Sequence, residues 1–297
     1  MSKKPIIYWK GVDFIPTIGI VLNTQKEEAF SIAKKMIALL SAKNINYYIE
    51  TKAAEMLERS EIASYSKLRT EADYIIIIGG DGTFLHTAHH FFGSDVPLLG
   101  INIGRLGFLT EIETNELDNA LDNLLSGNFT VEKRMILEVN IQSDGEEVYH
   151  NFALNDFVIH RGSRSKLVGI DLYINGEIVN SYRADGIIIA TPTGSTAYSL
   201  SSGGPIINPQ IRAMIVTPIC PHSLFITPMV ISDQERLKIV VTGDHTMSFT
   251  ADGGYDYTIK SSDEIYVQAS KRELLFVKLP DKTFYSILHK KMKAGLV

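Results

Sequence analysis

Hydrophobic and polar positions change rhythm once along the chain, near residue 130. Before that point, apolar runs alternate with helical periodicities. Residues 17–23 (TIGIVLN) predict a short strand. Across 26–40, Phe30, Ile32, Ala33, Met36, Ile37 and Leu40 recur at the spacing of one helix face. A second strand is predicted over 45–49. Residues 74–78 (YIIII) are apolar throughout, the pattern of a parallel strand buried on both faces. A further strand is predicted over 97–103, and an amphipathic helix over 115–125. Strands alternating with helices predict an open, mostly parallel α/β sheet with covering helices.

Beyond residue 130 the period becomes two. Met135, Leu137, Val139 and Ile141 alternate with polar residues and run into Asp144-Gly145. A second hairpin is predicted with strands at 169–174 and 177–181. Its Asn175-Gly176 turn suits the two positive φ angles of a type I′ turn. Strands are predicted at 152–159, 187–190, 236–241, 246–251, 264–269 and 273–279, which makes this half a β-sandwich. Residues 281–293 turn helical again, with Phe284, Ile287, Leu288 and Met292 on one stripe. The expected organisation is an α/β nucleotide-binding domain over 1–130 and a β-rich domain over 131–280. The tail, 281–297, returns to the first domain.

Composition narrows the classes of function. The 297 residues are 45% hydrophobic and 21% charged, which excludes a disordered chain. A net charge of −5 disfavours a nucleic-acid partner. The opening twenty residues lack the apolar run of a signal peptide, and no apolar stretch is long enough for a membrane span. The one cysteine, Cys220, has no internal disulfide partner, as expected for a reducing, cytoplasmic compartment.

Glycine is concentrated where ligand chemistry is expected. Of 22 glycines, seven fall between residues 79 and 107: Gly79, Gly80, Gly82, Gly93, Gly100, Gly104 and Gly107. The cluster opens where the isoleucine strand ends and a helix begins, the place where α/β sheets bind ligands. The turn Gly79-Gly80-Asp81-Gly82-Thr83 can bring backbone N–H groups to phosphate oxygens. It is neither a Walker A loop nor a GxGxxG fingerprint. Asp81 would repel a phosphate unless it holds Mg²⁺, accepts a proton, or simply caps the helix.

Two further loci stand out. Arg183, Asp185, an apolar strand and the hydroxyl-rich loop from Thr191 to Pro205 follow one another, offering many small donors and acceptors. Asn155-Asp156 interrupts an apolar strand, so at least one of the pair needs an internal partner or a ligand. Other features read as structural. His86 and His90 have zinc-ligand spacing but no completing residue. Cys220 and His222 sit too close in sequence to align as a nucleophile and base. Lys290, Lys291 and Lys293 complement a helix C-terminus.

Together, GGDGT at 79–83, Asn155-Asp156 and DGIIIATPTGSTAYSLSSGGP at 185–205 closely resemble the NAD kinases. GGDGT alone is shared with 6-phosphofructokinases and with diacylglycerol- and sphingosine-type lipid kinases; the long third motif is the specific one. The resemblance implies an α/β nucleotide-binding domain, a β-sandwich, and transfer of a terminal phosphoryl from ATP, with Mg²⁺, to the 2′-hydroxyl of NAD's adenosine ribose. By matching position, Asp81 resembles the family's proton acceptor. Gly79, Gly80, Gly82, Thr83, Asn155, Asp156, Asp185, Thr193, Thr196, Ala197, Tyr198, Ser199, Leu200 and Ser201 resemble its nucleotide contacts. His86 stands where a basic residue often reaches the dinucleotide, and Lys166 and Arg183 are weaker matches.

The resemblance further implies a homo-oligomer, a dimer or tetramer in which a neighbouring subunit completes the site. Two positions depart from the pattern. Asp156 stands where many members have Glu, and Gly254 stands where relatives often carry a longer polar residue. The alternatives are a lipid kinase with the same turn, which calls for an apolar groove or basic patch, and a non-catalytic dinucleotide sensor.

Overall fold

Ile75, Ile76, Ile77 and Ile78 are fully buried, as their unbroken apolar run predicts. The computed structural model describes residues 15–161, 168–222, 227–243, 247–254, 257–261, 263–280 and 282–295. It divides into two units. One comprises residues up to Lys133 and those from Leu274 onward; the other is Arg134–Glu273.

In the first unit the chain forms β1 (Thr17–Leu22), α1 (Glu27–Ala42), β2 (Asn46–Glu50), α2 (Thr51–Met56), β3 (Ile62–Ala63) and α3 (Tyr65–Glu71). It continues through β4 (Tyr74–Gly79), α4 (Asp81–His89), β5 (Leu98–Asn102), β6 (Ile112–Glu113) and α5 (Leu117–Leu125). The strands pair in parallel in the order β3-β2-β1-β4-β5, with β6 beside β5. Ala33, Met36, Ile37 and Leu40 of α1 join Ile76 and Ile78 of β4 in one core. The sequence made no prediction for 51–71. There Glu50 caps α2 by accepting from the amides of Lys52 and Ala53, and Ser64 caps α3. Strand order reverses between β1 and β4, so the loops leaving these two strands diverge and open a crevice at their carboxyl ends.

The second unit begins with the later part of β7 (Thr130–Ser143). It then forms β8 (Glu146–Ala153), β9 (Asp156–Arg161), β10 (Val168–Ile174), β11 (Glu177–Ala184), β12 (Gly186–Ala190) and α6 (Tyr198–Ser201). It ends with β13 (Ala213–Ile219), β14 (Met229–Ser232), β15 (Leu237–Thr242), β16 (Met247–Ala251) and β17 (Tyr257–Ile259). One sheet runs β14-β13-β12-β9-β16-β17; a second contains β11-β10-β15 and the β7-β8 hairpin. Phe157, Ile187, Val216 and Phe249 of the first sheet share a core with Leu137, Ile170, Ile239 and Ile265 of the second, the packing of a sandwich. At the expected turns, Asn175 and Gly176 take φ of 52° and 88°, and Asp144 and Gly145 take 51° and 84°.

Two predicted strands are corrected here. The strand expected over 152–159 is broken at Leu154 and Asn155, which separate β8 from β9. The pair expected at 264–269 and 273–279 is one strand, β18 (Asp263–Lys278). The Ser270 hydroxyl accepts from the Arg272 amide and carries the backbone through the polar 270–272 segment. The start of β18 pairs with β15, whereas Phe276 pairs in parallel with Leu98 of β5 inside the first unit. The tail forms α7 (Phe284–Lys293), opened by a Thr283–Ser286 capping box.

Gly100 of β5 shows how tightly the first unit is closed around its site loop. A Cβ there would lie 2.7 Å from the Leu109 carbonyl oxygen, 2.8 Å from Thr110 Cα and 2.9 Å from the Phe84 ring. Two of these neighbours are backbone and cannot rotate away. Gly100→Ala is expected to destabilise the protein by about 1–3 kcal/mol. In urea denaturation this appears as a lower midpoint with unchanged slope; an unchanged midpoint refutes the packing assignment.

Candidate active site

The Gly-rich turn connects β4 to α4 with Gly80, not Asp81, as the N-cap. Asp81 is the first helical residue, and its side chain turns onto the 107–110 loop. Its Oδ2 accepts from the Phe108 amide at 2.8 Å. Its Oδ1 accepts from the Leu109 amide at 3.1 Å and from both the amide and the hydroxyl of Thr110 at 3.0 Å. Gly107 permits this approach, because a Cβ there would fall 1.8 Å from Asp81 Oδ1. Capping therefore does not account for Asp81. Its carboxylate clasps a loop.

At the crevice between β1 and β4 lies a cleft of 650 Å³. Gly80, Gly82, Thr83 and His86 line it from the turn and α4; Asn23, Gln25 and Lys26 line it from the loop after β1. The Asn23 side-chain amide donates to Thr83 Oγ1 at 3.0 Å, tying the two loops together. Lys26 donates to the Ile103 carbonyl at 3.3 Å and supplies a cation in the cleft. Neither Asn23 nor Lys26 was singled out from sequence. The signal was the polar run directly after an apolar strand, which gains meaning only once β1 is known to neighbour β4.

His86 is exposed, with its ring 5.7 Å from that of His90. His90 stacks on Tyr65 at 3.8 Å. Burial, and then the neighbouring His86 and His89, hold the His90 imidazole below its ordinary pKa. Among the described residues no three His, Cys, Asp or Glu side chains are grouped to hold a metal.

In the second unit, Asn155 and Asp156 meet the hydroxyl-rich loop. The Asp252 carboxylate accepts from the amides of Leu154, Asn155 and Asp156 at 2.7–3.1 Å. These donors are thereby withdrawn from the sheet ladder, which is why the strand expected through 155 breaks. The Thr191 amide donates to the Asn155 carbonyl at 2.8 Å, and its hydroxyl to the Leu154 carbonyl at 2.5 Å. A Cβ on Gly194 would fall 2.1 Å from the Asn155 oxygen. Asp156 is only 5% exposed. Burial, with the adjacent Asp252 carboxylate, pushes the Asp156 carboxyl up to about 7.

Several loop hydroxyls are spent inside the protein. Ser195 Oγ donates to the Pro192 carbonyl and accepts from the Ile207 amide; Ser199 Oγ is 2.9 Å from Thr217 Oγ1. Thr193 is buried and accepts at its carbonyl from the Thr196 hydroxyl. Tyr198 and Ser201 are exposed, and Thr196, Ala197 and Leu200 are half-buried. Asp185 and Arg183 are not brought to this cluster. They precede the start of β12, whereas Asn155, Asp156 and Thr191 lie at its other end. Five strand residues separate the two ends by roughly 16 Å. Asp185 pairs with Arg161 at 2.7 Å, and Arg183 is exposed. Lys166 lies outside the described residues.

Residues 18–129 match the ATP-NAD kinase N-terminal domain family, and residues 154–279 match the ATP-NAD kinase C-terminal domain family. An NAD kinase of Heliobacterium modesticaldum is 38% identical over 95% of this chain and all of its own length. One of Moorella thermoacetica is 39% identical over 94% of this chain and 89% of its own. The crystal structure of yeast NADH kinase complexed with NADH superposes with a TM-score of 0.86 at 26% identity, covering 94% of this chain and 88% of that one. An Archaeoglobus fulgidus NAD kinase in complex with ATP shares the fold, with a TM-score of 0.72 at 23% identity over 94% of this chain and 99% of its own. These matches do not favour a lipid kinase or a sensor. The chain belongs to the NAD kinase family, and it is a phosphotransferase.

Proposed function

We propose that the chain transfers the terminal phosphoryl group of ATP to the 2′-hydroxyl of the adenosine ribose of NAD, with Asp81 receiving the hydroxyl proton. The observation that carries this reading is the cleft at the strand-order reversal. A glycine turn and the N-terminus of α4 border it, and Lys26 supplies a positive charge, which suits a polyphosphate. As the new O–P bond forms, the hydroxyl proton leaves, and the bridging O–P bond to ADP breaks. Asp81 Oδ1 already takes three hydrogen bonds, whereas Oδ2 takes one and keeps a lone pair. Oδ2 is therefore the atom that receives the proton.

Mg²⁺ accompanies ATP in this reading, as part of the substrate, and offsets the charge of the phosphates. NAD is bound in the second unit by Asn155, Asp156 and the outward groups of the 193–201 loop. The separation of Asp185 and Arg183 from that cluster supports a homo-oligomer in which each copy lends these residues to the NAD held by another. The exposed, unpaired Cys220 suits the reducing cytoplasm, and among the described residues no helix is long and apolar enough to cross a membrane.

Three outcomes are expected. In an assay coupled to an NADP-specific dehydrogenase, Asp81→Asn lowers turnover by about 10²- to 10⁴-fold while calorimetric NAD affinity is retained; full activity removes Asp81 from the mechanism. Mixing Asn155→Ala with Asp185→Asn protein restores about a quarter of wild-type activity if dimers exchange at random; no recovery after confirmed exchange means that each copy works alone. The third concerns pH. A carboxyl that stays protonated in the fold but ionises in the unfolded chain makes the native state bind more protons between pH ~4 and ~7, so its contribution to stability falls as pH rises through that window. Asp156→Asn is therefore expected to stabilise the protein above pH 7 by up to about 4 kcal/mol and hardly at all near pH 4. Equal melting shifts at pH 4.5 and pH 8 contradict this.

A further inference from the structure

The loop that Asp81 clasps is held from its other side by the tail helix. Lys291 of α7 does not serve the C-terminal carbonyls of its own helix, as its place in a basic last turn suggests. Its Nζ donates to the Leu106 carbonyl at 2.8 Å and sits 4.5 Å from the centre of the Phe108 ring. The Phe108 ring in turn packs against Phe284 of the same helix at 6.1 Å. Phe108 is also the residue whose amide donates to Asp81 Oδ2.

Two more contacts fix the start of the loop. The Asn102 amide donates to the Arg105 carbonyl at 2.7 Å, and Lys26 donates to the Ile103 carbonyl. Among the described residues, 104–110 belong to no strand or helix, and side chains supply the hydrogen bonds that hold them at Arg105, Leu106 and 108–110. Lys291 is the charged side chain that α7 brings to this loop, and it acts on the segment between Leu106 and Phe108. Loss of this contact loosens the Phe108 peptide, whose amide is the donor to Oδ2 among the described residues.

We propose that Lys291 is a positioning residue for phosphoryl transfer: from the tail helix it holds the Leu106–Phe108 segment so that Asp81 presents Oδ2 in one orientation. The proposal rests on the reading of Asp81 as proton acceptor. Lys291 itself touches neither substrate. A lysine serves here because its point charge meets a carbonyl and a ring face together. Arginine offers the same two interactions, whereas methionine keeps the apolar stem and loses both.

The test is a double-mutant cycle on the full-length enzyme with the coupled assay. Lys291→Met is expected to lower kcat roughly tenfold with KM for NAD unchanged within about twofold and the melting temperature lowered by only a few degrees. Lys291→Arg is expected to restore kcat. In an Asp81→Asn background, Lys291→Met is expected to have no further effect on kcat, because the group it positions has been removed. An unchanged kcat in Lys291→Met overturns the proposal. So does an equal loss in the Asp81→Asn background, which assigns Lys291 a role independent of Asp81. Should Lys291→Met fold poorly, Phe284→Ala in the same cycle tests the clamp from its apolar side, and additivity there overturns it as well. An Asp81→Asn enzyme with full activity refutes the underlying reading instead, and the two failures are thus told apart.

Discussion

In each of the two units a single carboxylate accepts the amides of three consecutive residues and organises the loop around it. Asp81 takes those of Phe108, Leu109 and Thr110, from 27 to 29 positions along the chain. Asp252 takes those of Leu154, Asn155 and Asp156, from 98 to 96 positions back. Backbone donors removed from a sheet must find partners, and a charged acceptor gives a stronger bond than a carbonyl. A loop that would otherwise stay loosely held is thus fixed against a strand end. The cost falls on local backbone: Asp252 adopts φ of 52°, followed by Gly253 at 67°. At the Asp81 end the cost is a position that must stay glycine, Gly107.

The same economy explains why the hydroxyl-rich segment holds its shape. Thr191, Ser195 and Ser199 hydroxyls are consumed by Leu154, Pro192, Ile207 and Thr217. The residues left facing outward, Tyr198 and Ser201 among them, are carried on a scaffold that is already satisfied. Preorganisation of this kind reduces the ordering that a ligand must impose when it binds.

Legibility from sequence followed how local each signal was. The isoleucine run of β4, the Asn175-Gly176 turn and the helix of α7 each depend on neighbours within a few residues, and each formed as expected, although of the α7 stripe Ile287 is buried and Met292 is exposed. The 79–83 turn was equally plain. Elements specified by distant partners were not. No strand was predicted over the residues of β13, where Pro218 is an unfavourable residue for a central strand. In the fold Pro218 pairs with Ile187 of β12, and among the described residues β14 pairs with β13 only as far as Val216. The break at Asn155 and the roles of Asn23 and Lys26 likewise depend on Asp252 and on strand order. The relation of Asp185 to Asn155 could not be read from a motif in which they sit near the same loop, because a strand carries them to opposite ends.

The division of the first unit between residues before Lys133 and those after Leu274 has a consequence for how the molecule is made. During synthesis the second unit is complete before Phe276, the neighbour of Leu98 on β5, has left the ribosome. Until then the Leu98 end of β5 lacks its parallel neighbour, and the loop next to Asp81 lacks its helix. Nascent chains with open sheet edges are prone to association. Closing that edge is a late, long-range step of the kind that slows folding. The second unit can form from contiguous sequence, whereas the half bearing Asp81 acquires its final form only after the last strand and helix have been translated.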